Sequence, residues 1–129
     1  MLCIIMSFEN RLPVVKTYFQ IQVRDLERAK SWYENVFQLE TLFFESKVGW
    51  GEMQLHGGDP KLGLNLVDNP QNNNWGKLMF EVEDIIKAKE YMEKKDIKTT
   101  EITTIPEMVS YFDIQDSEGN IIQIVAAPQ

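Results

Sequence analysis

FQIQVRDLERAKSWY, residues 19–33, has a second copy in MFEVEDIIKAKEYM, residues 79–92. At a constant offset of 59, Val23 falls on Val82, Asp25 on Asp84, Leu26 on Ile85, Arg28 on Lys87, Ala29 on Ala88, Lys30 on Lys89 and Trp32 on Tyr91. Each copy reads as a strand, an Asp and an amphipathic helix. Asp suits a helix start, because its carboxylate accepts from unpaired backbone N–H groups and complements the positive helix end. Leu26, Ala29, Trp32, Tyr33, Val36 and Phe37 recur at helical spacing, as do Ile85, Ala88, Tyr91 and Met92. Seven matches without a gap indicate a duplicated module.

Strand-like runs follow each helix. In the first half they are Glu40–Glu45, Val48–His56 and Lys61–Asp68, parted by Ser46-Lys47 and Gly57-Gly58-Asp59-Pro60. In the second half they are Ile97–Thr103, Met108–Gln115 and Ile121–Val125, parted by Ile105-Pro106 and the turn Asp116-Ser117-Glu118-Gly119-Asn120. The chain is thus predicted to be one α+β domain over residues 1–129. Two tandem β-α-β-β-β modules, about 14–68 and 77–126, are joined by a polar linker at about 69–76. Together they predict a curved, mixed, eight-stranded sheet around a cleft, with the helices on its outer face.

The period-2 pattern sorts the faces. Phe19, Ile21 and Val23 point toward the helix, and Tyr18, Gln20 and Gln22 away from it. Leu78, Phe80 and Val82 repeat the helix side, and Lys77, Met79 and Glu81 the other. A concave, partly apolar surface with a few polar groups is where small ligands bind. Gln123 interrupts Ile-Ile-Gln-Ile-Val on this face. Its amide either reads a ligand or pairs with Asn65 or Lys77, or it satisfies another buried group such as Tyr18 or a backbone carbonyl.

Composition narrows the function. The 129 residues carry 43% apolar and 26% charged side chains, as a soluble globular domain does. A net charge of −7 repels phosphate backbones, so no nucleic-acid partner is expected. No basic amphipathic helix or apolar span points to a membrane, and the opening MLCIIMSFENR lacks the basic flank of a signal peptide. Met6 offers an alternative start. Cys3 is the single cysteine, which fits a reducing compartment, and a cytoplasmic location is expected.

Two modules with V-x-D entries to their helices, and a D-x-x-G-N turn before the last strand, resemble the vicinal oxygen chelate superfamily. That group covers glyoxalase I, extradiol dioxygenases, fosfomycin-resistance enzymes and bleomycin-resistance proteins. The resemblance rests on KTYFQIQVRDLERAKSWYENVF, KLMFEVEDIIKAKEYM and YFDIQDSEGNIIQIV and runs from about Val15 to Ala126. It implies a homodimer. It also implies metal ligands, His or Glu, at cavity-facing positions on the first and last strand of each module, here Tyr18, Asn65, Lys77 and Gln123. A phenol, two amides and an ammonium are poor ligands for a divalent cation. No metal and no cofactor are therefore expected.

Other residues are weighed beside these. His56, the single histidine, reads as a loop residue, and Cys3 has no base nearby. Glu45, Glu52 and Asp113 form either a carboxylate cluster or a solvated strand face. Trp50, Trp75 and Tyr111 wall the cleft or pack elsewhere, and Lys77 with Glu81 is an expected ion pair. Glu27, Arg28, Lys30 and Glu34 read as a solvated helix face. The expected function is metal-independent binding of a small molecule by Tyr18, Gln20, Trp50, Asn65, Lys77, Glu81, Tyr111 and Gln123. The alternatives are a glyoxalase- or dioxygenase-like metalloenzyme with unusual ligands, and a partner-binding or assembly module.

Overall fold

The structure is a computed structural model that describes residues 13, 15–71 and 76–128. Cys3, Met6 and Trp75 lie outside the described residues. The first module runs β1 (Tyr18–Val23), α1 (Leu26–Phe37), β2 (Glu40–Glu45), β3 (Trp50–Gln54) and β4 (Lys61–Leu66). The second runs β5 (Leu78–Glu81), α2 (Ile85–Lys94), β6 (Thr103–Ile105), β7 (Val109–Gln115) and β8 (Ile121–Ala126).

Both helices start as their sequence indicates. Asp25 accepts from Arg28 N at 3.0 Å, and Asp84 from Ile86 N and Lys87 N at 3.0 Å. These carboxylates satisfy N–H groups that the first helical turn leaves without partners. α1 buries Leu26, Ala29, Tyr33 and Val36, an i, i+3, i+7, i+10 stripe. It stops at Gln38, whose backbone turns left-handed at φ 53° while its amide donates to Asn35 O. α2 buries Ile85 and Met92.

The expected eight strands form two mixed sheets of four, ordered β1-β4-β3-β2 and β5-β8-β7-β6. β1 runs parallel to β4 and β5 to β8, and the remaining pairs are antiparallel. The edge strands β1 and β5 do not pair with each other. One strand sits later than expected. The run Ile97–Thr103 is not a strand; β6 covers Thr103–Ile105 only. Ile97 and Ile102 pack onto the core instead, and Thr100 ties to β7 through both Thr100 N→Asp113 O and Asp113 N→Thr100 Oγ1. The apolar spacing there serves packing from an irregular segment.

The two modules meet through α1. Phe37 stacks on Phe80 with centroids 4.3 Å apart, and Tyr91 Oη donates to Val36 O at 2.6 Å. The β7–β8 turn grips the other end of α1. Asp116 accepts from Tyr33 Oη at 2.7 Å. Glu118 accepts from Arg28 Nε at 2.8 Å, from Arg28 Nη2 at 2.6 Å and from Arg24 N at 2.6 Å. Arg28 is thus a clamp residue and not part of a merely solvated face. Among the described residues no helix is long and apolar enough to cross a membrane.

Candidate functional site

The face of each sheet turned from its helix carries the candidate residues. On the first sheet Trp50 Nε1 donates to Glu52 Oε2 at 2.8 Å and Tyr18 Oη donates to Glu52 Oε1 at 3.3 Å. The Tyr18 and Trp50 rings meet edge to face. Beside them Asn65 Nδ2 donates to Gln20 Oε1 at 3.0 Å. On the second sheet Gln123 Nε2 donates to Asp113 Oδ1 at 3.4 Å, and Lys77 Nζ lies 3.8 Å from Asp113 Oδ2.

These contacts revise two expectations and decide a third, the carboxylate group, against a cluster. Lys77 pairs with Asp113 and not with Glu81. Residues four apart on a strand are separated by about 13 Å, so those two cannot meet as they would on a helix. Glu81 lies instead in a separate shallow depression with Val82, Glu83 and Ala127. Glu45, Glu52 and Asp113 do not cluster: Glu45 accepts from Lys47 N, and Glu52 and Asp113 belong to different sheets. Gln123 is paired with Asp113, a partner absent from its expected set.

Strand register corrects a fourth. Phe19 pairs with Leu62 and its repeat equivalent Leu78 pairs with Ile122. Leu62 and Ile122 are therefore equivalent, and the residue matching Gln123 is Gly63. Asn65 matches Val125, two residues farther on. The Trp50 ring covers Gly63: a Cβ built there would lie 2.6 Å from Trp50 Cη2. The four positions that would hold a metal are thus a phenol, a glycine under an indole, an ammonium and an amide. That donor set does not suit a divalent cation. Among the described residues no group of three or more His, Cys, Asp or Glu comes together.

A cavity of about 410 Å³ opens at the seam between β1 and the β5/β8 pair. Of the expected site residues it collects Tyr18, Gln20 and Lys77. Asn65, Trp50 and Gln123 stay nearby on the sheet faces as partners of Gln20, Tyr18 and Asp113. Tyr111 sits on β7 opposite Val125 and takes no part in the cavity. Gln22, placed by the period-2 pattern on the same face as Tyr18 and Gln20, also lines the cavity, whereas sequence reasoning missed Tyr33, Asn120 and the helix-side Phe19, Ile21, Leu78 and Ile122 as lining residues. The period-2 pattern assigns these apolar residues to the core, and only an unpaired seam exposes both faces of β1 to one space. The Tyr33 hydroxyl is pushed well above the usual phenol range, first by burial and then by the adjacent Asp116 carboxylate. The Arg28 guanidinium is raised by its hydrogen bond to Glu118. His56, in the turn after β3, sets its ring edge-on to Phe80 at 5.7 Å and stays outside the cavity.

A sheet pair with a helix on each outer face and a seam between duplicated modules defines the class of protein. The family model of the Glyoxalase/Bleomycin resistance protein/Dioxygenase superfamily matches residues 17–124, and the chain belongs to that family. Solved structures share the fold. The fosfomycin resistance protein FosX from Listeria monocytogenes superposes with a TM-score of 0.74 at 12% identity, covering 91% of this chain and 94% of its own. TnmS3, an antibiotic binding protein from Streptomyces sp. CB03234, gives 0.73 at 19% identity, covering 91% and 99%. A lactoylglutathione lyase from Agrobacterium tumefaciens gives 0.68 at 19% identity, covering 90% and 96%. No curated protein matches the chain.

Proposed function

We propose that this protein binds a small organic molecule without a metal, and that the ligand sits in the seam cavity between its modules. The observation that carries this reading is the contrast between two places. The positions where the family resemblance puts metal ligands hold Tyr18, Gly63, Lys77 and Gln123, and Gly63 lies beneath Trp50. The seam next to them offers a mixed apolar and polar space of about 410 Å³, within the range of small-molecule sites. The fold accommodates this role, since TnmS3, named as an antibiotic binding protein, shares it. The test is metal content. Tag-free protein is incubated with zinc, nickel, manganese and ferrous iron in turn, desalted, and its bound metal measured per chain. Near-zero occupancy for all four is expected. Stoichiometric retention of any one would overturn metal independence and favour the metalloenzyme reading.

The protein is further proposed to act as a cytoplasmic homodimer. Leu42 and Phe43 are exposed on the outer edge strand β2, as is Ile105 on the outer edge strand β6, and unpaired edges that carry apolar side chains invite a partner. Sedimentation at micromolar concentration checks the dimer, a purely monomeric profile excluding it, and cell fractionation checks the compartment.

A further inference from the structure

We propose that the seam cavity selects a flat, amphipathic organic anion, an aromatic carboxylate or a molecule of like chemistry, with its charged end at Lys77. The inference rests on the binding role given to the seam above and adds the charge of the ligand. Acidic residues dominate the chain, at 20 Asp and Glu against 13 Lys and Arg, yet none among the described residues lines the cavity. Among the described residues, Lys77 is the single charged side chain in its lining. The nearest carboxylate paired with Lys77 is Asp113, outside the lining and 3.8 Å from Nζ, where Lys77 is 44% and Asp113 29% exposed. So loose and partly solvated a pair contributes little and leaves the ammonium available.

The neutral groups lean the same way. Gln20 Oε1 is taken by Asn65 and Gln22 Oε1 accepts from Gln71 N at 2.7 Å. Each carbonyl oxygen thus accepts one bond already, and the amide NH₂ groups of Gln20 and Gln22 are turned to donate. Asn120 is the reverse: its Nδ2 donates to Asp116 Oδ2 at 3.0 Å and to Gln22 O at 3.5 Å, so its oxygen is the one that remains to accept. The hydroxyls of Tyr18 and Tyr33 already donate to Glu52 and Asp116. One ammonium and the two amide NH₂ groups complement an acceptor-rich anion, whereas the acceptors that remain, the Asn120 oxygen and the free lone pairs of the amide and hydroxyl oxygens, are all neutral and offer a cation no charge. Phe19, Ile21, Leu78 and Ile122 supply apolar walls for a flat ring system.

The test uses the full chain with its Ile and Leu methyl groups labelled with carbon-13, titrated with 2-naphthoate, 2-naphthamide and 2-naphthylmethylammonium at neutral pH. The three probes share a ring and differ in charge. The methyl signals of Ile21, Leu78 and Ile122 are expected to move with naphthoate, which should bind about ten-fold more tightly than the ammonium probe, the effect of one favourable charge contact. Lys77→Gln is expected to bring the naphthoate and ammonium affinities to within about two-fold of each other, and Lys77→Arg to restore the difference. Unmoved methyl signals at Leu62 and Ile85 show that the variants keep their fold. Equal affinity for all three probes, or tighter binding of the ammonium, overturns the anion inference while the binding role stands. No seam methyl shift with any probe at millimolar concentration overturns both.

Discussion

At the scale of single residues, Gly63 and Trp50 are one unit. A glycine inside a strand ordinarily gains stability on change to Ala, because the unfolded chain loses freedom. At Gly63 the sign should reverse. The new Cβ would meet Trp50 Cη2 at 2.6 Å and Cζ2 at 2.9 Å, and the ring is held by its hydrogen bond to Glu52. Gly63→Ala is therefore expected to destabilise by about 1 kcal/mol in urea unfolding, roughly the net value of the hydrogen bond that must yield. The loss should vanish in a Trp50→Leu background, and a neutral or stabilising Gly63→Ala would disprove the packing. Tyr33 gives a second residue-scale expectation. Its folded pKa is raised, so its contribution to stability is complete below the unfolded phenol value near 10 and is lost as pH rises through the folded value. In that window the parent should lose about 1.4 kcal/mol more per pH unit than Tyr33→Phe, as read by unfolding at several alkaline pH values. Parallel profiles would mean that Tyr33 ionises freely in the folded chain. Tyr33's place on the buried helix stripe is legible from spacing. Its bond to Asp116, 83 positions away, is not, because periodicity carries no long-range information.

Among the elements, the β7–β8 turn behaves as a latch. Asp116 Oδ1 accepts from Glu118 N and Asn120 N at 2.8 and 2.9 Å, which folds the turn and presents Glu118 to α1. The Glu118 side chain is only 1% exposed, so Arg28 is needed to compensate its charge. Arg28→Ala should lower the thermal midpoint clearly more than Lys30→Ala, whose pair with Glu34 on the same helix is ordinary i,i+4 surface chemistry. Glu118→Ala should cancel most of the Arg28→Ala effect in a double-mutant cycle, and simple additivity would refute the latch. The sequence shows the turn, since DSEGN is rich in turn formers, and it shows both helix starts through Asp25 and Asp84. It hides the latch, because Arg28 alternates with Glu27 and Lys30 as any solvated face does. It also misplaces β6, because Ile97 and Ile102 have the composition of a strand while packing from an irregular run.

Over the whole molecule, the duplication at offset 59 made the modular plan legible, while the strand pairing, with β1 parallel to β4 and β5 parallel to β8, came from the structure. What the repeat could not reveal is how the two sheets meet. Equivalence between β4 and β8 slipped by two residues when judged from motifs alone, because LGLNLV has no G-N turn before it to anchor its register. The seam follows from hydrogen bonding. Lys61 N donates to Thr17 O and Val67 N to Val23 O, so the odd-numbered residues of β1 direct their backbone groups to β4. In a parallel pair the alternate residues then face outward, which puts the N–H groups of Gln20 and Gln22 at the seam. Val82 N donates to Val125 O, and the same alternation turns the Met79 N–H outward from β5. Amide hydrogen exchange can read this residue by residue. The Gln20 and Met79 amides should exchange much faster than those of Ile21 and Phe80, which face β4 and β8. Equal protection of all four would mean that β1 and β5 are closed into a hydrogen-bonded ladder, within the chain or with a second copy. A closed ladder leaves no room for a ligand between those edges, so that one outcome would remove the seam site while leaving the family assignment intact.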